Sequence, residues 1–134
     1  MAAAFVWGRI LAQLKGGWGT ATTLGVVTIG TAAPLLWPAP AGAYLSALLF
    51  GGAFLAVIAA VTSFARRAVK PHALTAAIAT LTVAFGIGQC IGPVLSGALS
   101  DGPSGLRAGL WLSVGILALA TVVAALQREP TAQP

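Results

Sequence analysis

Acidic residues are almost missing from this 134-residue chain, which has two, Asp101 and Glu129, against seven Lys and Arg. Histidine and cysteine occur once each, as His72 and Cys90. These scarcities exclude whole classes of function. One cysteine forms no intrachain disulfide and gives no information about redox compartment. One histidine and two carboxylates build no metal-ligand cluster and no Ser/His/Asp set, and no nucleotide-binding loop occurs. No enzyme activity, cofactor or metal is expected. Charge of either sign is also scarce. Charged residues make up 7% of the chain and apolar residues 58%, whereas soluble domains carry roughly 25% charged residues. The natural solvent for such a chain is lipid. The net charge of +5 is no nucleic-acid footprint, because the cations fall in short clusters between apolar runs, the pattern that sets membrane orientation.

What is present is long apolar runs. A transmembrane helix needs about 20 mostly apolar residues to cross a ~30 Å hydrocarbon core. Four stretches qualify, at 19–37, 43–65, 73–99 and 106–126. The first ends at Pro38-Ala39-Pro40. The second carries no charge and stops at Arg66-Arg67. The third starts after Pro71-His72 and stops at the turn-forming Ser100-Asp101-Gly102-Pro103. The fourth stops at Gln127-Arg128-Glu129-Pro130, and the tail Thr131–Pro134 reads as frayed. These runs do not alternate polar with apolar residues as barrel strands do. The expected fold is an all-α, polytopic membrane protein with four transmembrane helices.

Loop charge sets orientation. Arg9 and Lys15, then Arg66, Arg67 and Lys70, then Arg128 share one side of a four-span chain, and Arg107 alone lies on the other. By the positive-inside rule both termini are cytoplasmic, in a multi-pass protein of the cell membrane, here a bacterial inner membrane. Trp18, Trp37 and Tyr44 stand near span ends as interfacial anchors, and Trp7 reads the same way. The first residues do not read as a secretory signal, since Arg9 and Lys15 follow rather than precede Ala2–Trp7. Val6, Trp7, Ile10, Leu11 and Leu14 fall on one helical face. Two readings stand for this segment: an interfacial amphipathic helix, or the end of a longer membrane helix.

Membrane helices associate through small residues. Gly52, Ala56 and Ala60 at four-residue spacing, and the Gly88/Gly92 pair, are expected packing faces. The richest stretch is Phe85-Gly86-Ile87-Gly88-Gln89-Cys90-Ile91-Gly92-Pro93. Pro93 has no N–H for the Gln89 carbonyl, so a kink is expected. An amide at that depth needs partners, so Gln89 should face other helices or a water-filled cavity rather than lipid. It serves either as interhelical glue or as a substrate-cavity contact. Thr22, Thr23, Thr28, Thr31, Thr75, Thr80 and Thr82 are expected to bond their own helix carbonyls. His72 reads as a solvated loop residue and Cys90 as a small core residue. No span carries Asp, Glu, Lys, Arg or His at its centre, where ion-coupled relays usually place one.

The stretch Phe85–Pro93, followed by Gly97 and Asp101, resembles the glycine-rich eleventh helix of the YbfB/YjiJ-like branch of the major facilitator superfamily. The segment from Trp7 through Gly8, Arg9, Gln13 and Lys15 to Gly16 resembles the cytoplasmic loop between that family's eighth and ninth helices. Members often carry Gly-Arg-Leu-x-Asp-Arg there, and Gln13 stands where the acidic residue is expected, which weakens any gating salt bridge the motif implies. The resemblance makes 19–37 a ninth helix, Ala65-Arg66-Arg67 the end of a tenth, and 106–126 a twelfth. It therefore implies a partial major facilitator fold: residues 1–134 are one membrane domain, the C-terminal fragment of a twelve-helix secondary transporter for a small solute. Its implied partners are the bilayer, the remaining helices or copies of itself, and a small-molecule substrate of unspecified identity. The alternative is a self-contained four-helix protein that oligomerises, as a small multidrug-type exporter or a non-transporting scaffold. Such exporters rely on a glutamate inside the first helix, and no span here has a carboxylate.

Overall fold

The computed structural model describes residues 2–14, 17–103 and 105–128. Lys15 and the tail Thr131–Pro134 lie outside the described residues. Five α-helices follow in order: α1 (Ala2–Gln13), α2 (Trp18–Leu36), α3 (Pro40–Ala68), α4 (Leu74–Ser100) and α5 (Leu106–Leu126), with one 3-10 turn at Pro71–Ala73. No strand occurs among the described residues. The last four helices are long and apolar enough to cross a membrane, and they coincide with the four expected spans to within three residues at each end.

Local chemistry sets the boundaries. Residues preceding proline avoid the α region, and Trp37, before Pro38, has φ −130° and ψ 87° where α2 stops. Pro40 opens α3, where its missing N–H costs nothing. Arg66 and Arg67 occupy the last turn of α3, the end whose dipole favours cations. The chain enters α5 through Gly105 at φ +54° and ψ −149°, a conformation open in practice to glycine alone.

The spans run alternately up and down. At one end the Gly17 N–H donates to the Gln127 carbonyl, 3.2 Å away, which ties the start of α2 to the end of α5. At the opposite end an Arg107 guanidinium nitrogen donates to the Leu35 carbonyl over 3.4 Å. That carbonyl is one of the last of α2, which find no partner inside their own helix. α2 is the packed centre, held between α3 and α5, while α4 rests mainly on α5 and α1 on α3.

Small residues make the core, as expected where apolar burial gives no drive between helices. Ala53, Ala56, Ala60 and Ala65 are the buried alanines of α3. A Cβ on Gly30 would stand 3.0 Å from both Leu49 Cβ and the Phe50 backbone nitrogen, so α2 and α3 touch backbone to backbone there. Gly109 plays the same part between α5 and α4, facing Ser96 and Ser100. Most threonine hydroxyls behave as expected: Thr22, Thr23, Thr28, Thr31, Thr80 and Thr82 donate to carbonyls three or four residues back, while Thr75 makes no such bond among the described residues. Thr23 is fully buried, and this self-bonding is what makes its burial cheap. Thr28 also reaches Thr121 of α5 at 3.4 Å.

Two expectations are corrected. Trp7 is not an anchor at a span end: its indole Nε1–H donates to the Gly52 carbonyl at 2.9 Å, near the middle of α3. Further along, Gly8, Leu11 and Ala12 share a groove with Ala59, Ala60, Ser63 and Arg67. So α1 runs beside the second half of α3 in the same direction, which overturns the reading of an interfacial helix lying across the bundle end. The small residues at 51–53 expose enough of the α3 backbone for the indole to reach it, and an indole N–H at that depth needs an acceptor. Cys90 is not a core residue but exposed, because no helix lies against that part of α4.

Candidate functional site

α4 is built differently from its neighbours. It has no buried residue, and every residue from Leu81 to Leu95 is exposed. No non-neighbouring atom comes within 4 Å of where a Cβ would stand on Gly86, Gly88 or Gly92, so the Gly88/Gly92 pair makes no packing face among the described residues. Pro93 lies inside the helix, which continues to Ser100. Proline donates no hydrogen bond, so the Gln89 carbonyl four residues back loses its helical partner. Gln89 thus presents two unsatisfied polar groups near the middle of an apolar span: its freed carbonyl and its side-chain amide. The amide is exposed and makes no hydrogen bond among the described residues.

Beside this stretch lies an open-sided cleft of ≈ 520 Å³ whose walls are α3 and α4 and whose floor is α2 and α5. Phe50, Phe54 and Phe85 line it, with Thr62 and Thr82 as its only hydroxyl-bearing residues. The Phe50 and Phe54 rings stack, with centroids 5.4 Å apart and planes inclined by 16°. Their i, i+4 spacing places them on one face of α3. Gln89 stands one turn beyond Phe85 on the face of α4 that carries Ile78 and Phe85 at one end and Ser96 at the other. Gln89 itself does not line the cleft, whose last α4 residue is Phe85; it stands one helical turn farther along, at mid-span. No charged group lines the cleft, so the arrangement suits neutral or weakly polar material and offers no proton carrier. No cluster of metal-binding side chains occurs among the described residues.

The structure does not gather the expected site residues into one place. Gln89, Gly86, Gly88, Gly92 and Pro93 share the open stretch of α4. Gly8 lines the separate groove between α1 and α3. Arg9 and Gln13 are exposed on α1, and Lys15 is outside the described residues. His72 is exposed in the 3-10 turn, as expected of a solvated connection. Sequence reasoning missed the phenylalanine-lined cleft and the bonds of Trp7 to Gly52 and Arg107 to Leu35. The Phe50/Phe54 spacing was a readable signal for the first. The other two join residues 45 and 72 positions apart and left no local trace.

A family model described as "Uncharacterised MFS-type transporter YbfB" matches residues 1–125. No curated protein and no solved structure matches the chain.

Proposed function

The chain belongs to the family of YbfB-type transporters of the major facilitator superfamily, and from that premise we propose that it supplies the last four spans of a secondary transporter for a small solute. The observation that carries this reading is Gln89: an amide and a freed carbonyl at mid-span, on an unpacked stretch of α4 one turn beyond the last residue that lines the apolar cleft. Transporter substrate sites lie near the bilayer midplane, where interrupted helices expose backbone polar groups. In this reading Gln89 contacts the solute or its hydration, the Gly92-Pro93 step shapes the bend of α4, and alternating access rocks this bundle against a partner bundle that covers α4. One feature of the packing supports a larger assembly. The stretch of α4 from Leu81 to Leu95 is exposed and needs lipid or further helices against it, and a freed carbonyl with an amide is costly against lipid. The positive-inside rule then puts the Arg66, Arg67 and Lys70 end in the cytoplasm, with both termini, at the cell membrane.

The first test is the DNA upstream of Met1. An in-frame stretch encoding eight more hydrophobic helices agrees with the proposal. A promoter and ribosome site directly upstream would favour copies of this chain as the cover of α4. The second is Gln89→Ala in a solute uptake or efflux assay of the longest in-frame protein. Lost transport at an unchanged protein level is expected. Unchanged transport with a reduced protein level would overturn the cavity role and make Gln89 a packing residue.

A further inference from the structure

We propose that the groove between α1 and α3 seats the phosphate of an anionic phospholipid. Its volume is ≈ 370 Å³, and Gly8, Leu11 and Ala12 of α1, Gly19 of α2, and Ala59, Ala60, Ser63 and Arg67 of α3 line it. The composition is graded. Alanines and glycines leave the room, Leu11 forms an apolar wall, and the polar groups gather at one end. Ser63 and Arg67 are four residues apart, so they stand one turn above the other on the same face. The pair offers a hydroxyl donor and a guanidinium, whose planar fork matches phosphate oxygens two at a time.

Depth and charge agree with a headgroup. The 29 residues of α3 rise about 43 Å, at 1.5 Å per residue, and exceed a hydrocarbon core of about 30 Å. The α3 turn that holds Arg66 and Arg67 therefore reaches the headgroup layer. Arg66, Lys70 and Arg128 lie at the same end of the bundle, and the only carboxylate among the described residues, Asp101, lies at the opposite end. The start of α2, at Gly19, adds the positive end of a helix dipole. Basic recesses between spans are a recurring seat for anionic headgroups. A surface cluster of cations attracts anionic lipid diffusely. What sets Arg67 apart from Arg66 is that Arg67 lines a recess and Arg66 does not.

The test uses the full chain in nanodiscs of phosphatidylcholine containing one fifth phosphatidylglycerol, released into native mass spectrometry to count retained lipid. Each basic residue near an anionic surface is worth about fivefold in affinity. Retention of phosphatidylglycerol should fall by about that factor in Arg66→Gln, the diffuse contribution, and by at least twice as much in Arg67→Gln, although both remove one charge. Ala59→Leu, which fills the recess and keeps every charge, should also lower retention, with circular dichroism confirming an intact helical fold. Equal losses for the two arginine variants, or full retention in Ala59→Leu, would overturn the seat in favour of diffuse attraction. Release of the lipid by millimolar inorganic phosphate would show that the groove takes soluble phosphate instead, and would overturn the lipid assignment.

Discussion

α2 and α4 are both uncharged apolar helices, and the structure treats them in opposite ways. Half of the apolar window of α2 is buried and none of that of α4 is. The difference lies in where the small residues meet a neighbour. Gly30 of α2 stands against the α3 backbone, whereas Gly86, Gly88 and Gly92 of α4 stand against nothing within 4 Å. Small residues therefore mark a close approach only when a partner helix is present, and among the described residues none lies against Gly86, Gly88 or Gly92. α2 holds the bundle together between α3 and α5, whereas α4 carries the exposed amide of Gln89.

The contrast can be broken by substitution. The largest effect is expected for Gly30→Leu, which drives a branched side chain into the α3 backbone. Overpacking of this kind costs about 1–3 kcal/mol, read as earlier unfolding when sodium dodecyl sulfate is titrated into mild-detergent micelles. Gly88→Leu should leave that curve unchanged in this chain, and equal losses for the two variants would mean that α4 is packed after all. Trp7→Phe comes next. It removes the indole donor to Gly52 and should cost about 1 kcal/mol, the net value of a typical hydrogen bond. No change would mean that α1 is not docked along α3. Thr28→Val removes the 3.4 Å contact to Thr121 and should cost about 0.6 kcal/mol, the average measured for hydroxyl bonds between spans. The smallest effect on this chain is that of Gln89→Ala, expected to be about zero on the unfolding curve. In a solute-transport assay, the proposed function makes the same change reduce transport, which is the sharpest form of the contrast.

Much of the fold was legible along the chain. The breakers Pro38, Pro40 and Pro71 and the Arg66-Arg67 pair act through local backbone geometry and local solvation, so the span ends followed from them. Most of the threonines were legible for the same reason, since six of the seven named satisfy themselves within one turn. The site was only partly legible. The Gly86–Pro93 stretch announced itself by composition, and Pro93 frees the Gln89 carbonyl by covalent structure alone. The cleft did not, because its walls come from α3 and α4, which splay apart by an amount that no local pattern encodes. Trp7 misled, because an aromatic near a terminus has the same sequence signature whether it sits at the interface or bonds to a backbone deep in a neighbouring helix.

The sequence by itself determined that this is a helical membrane protein with four spans, and which spans carry small residues. Those properties are set by the transfer of side chains into lipid and by hydrogen bonds closed within one turn, and both are local. Only the tertiary structure decided which glycines touch a neighbour, that α1 runs down α3 rather than across the bundle end, and that Gln89 stands exposed. Those properties depend on which helix lies beside which, and that choice is made by shape over distances the chain order does not contain.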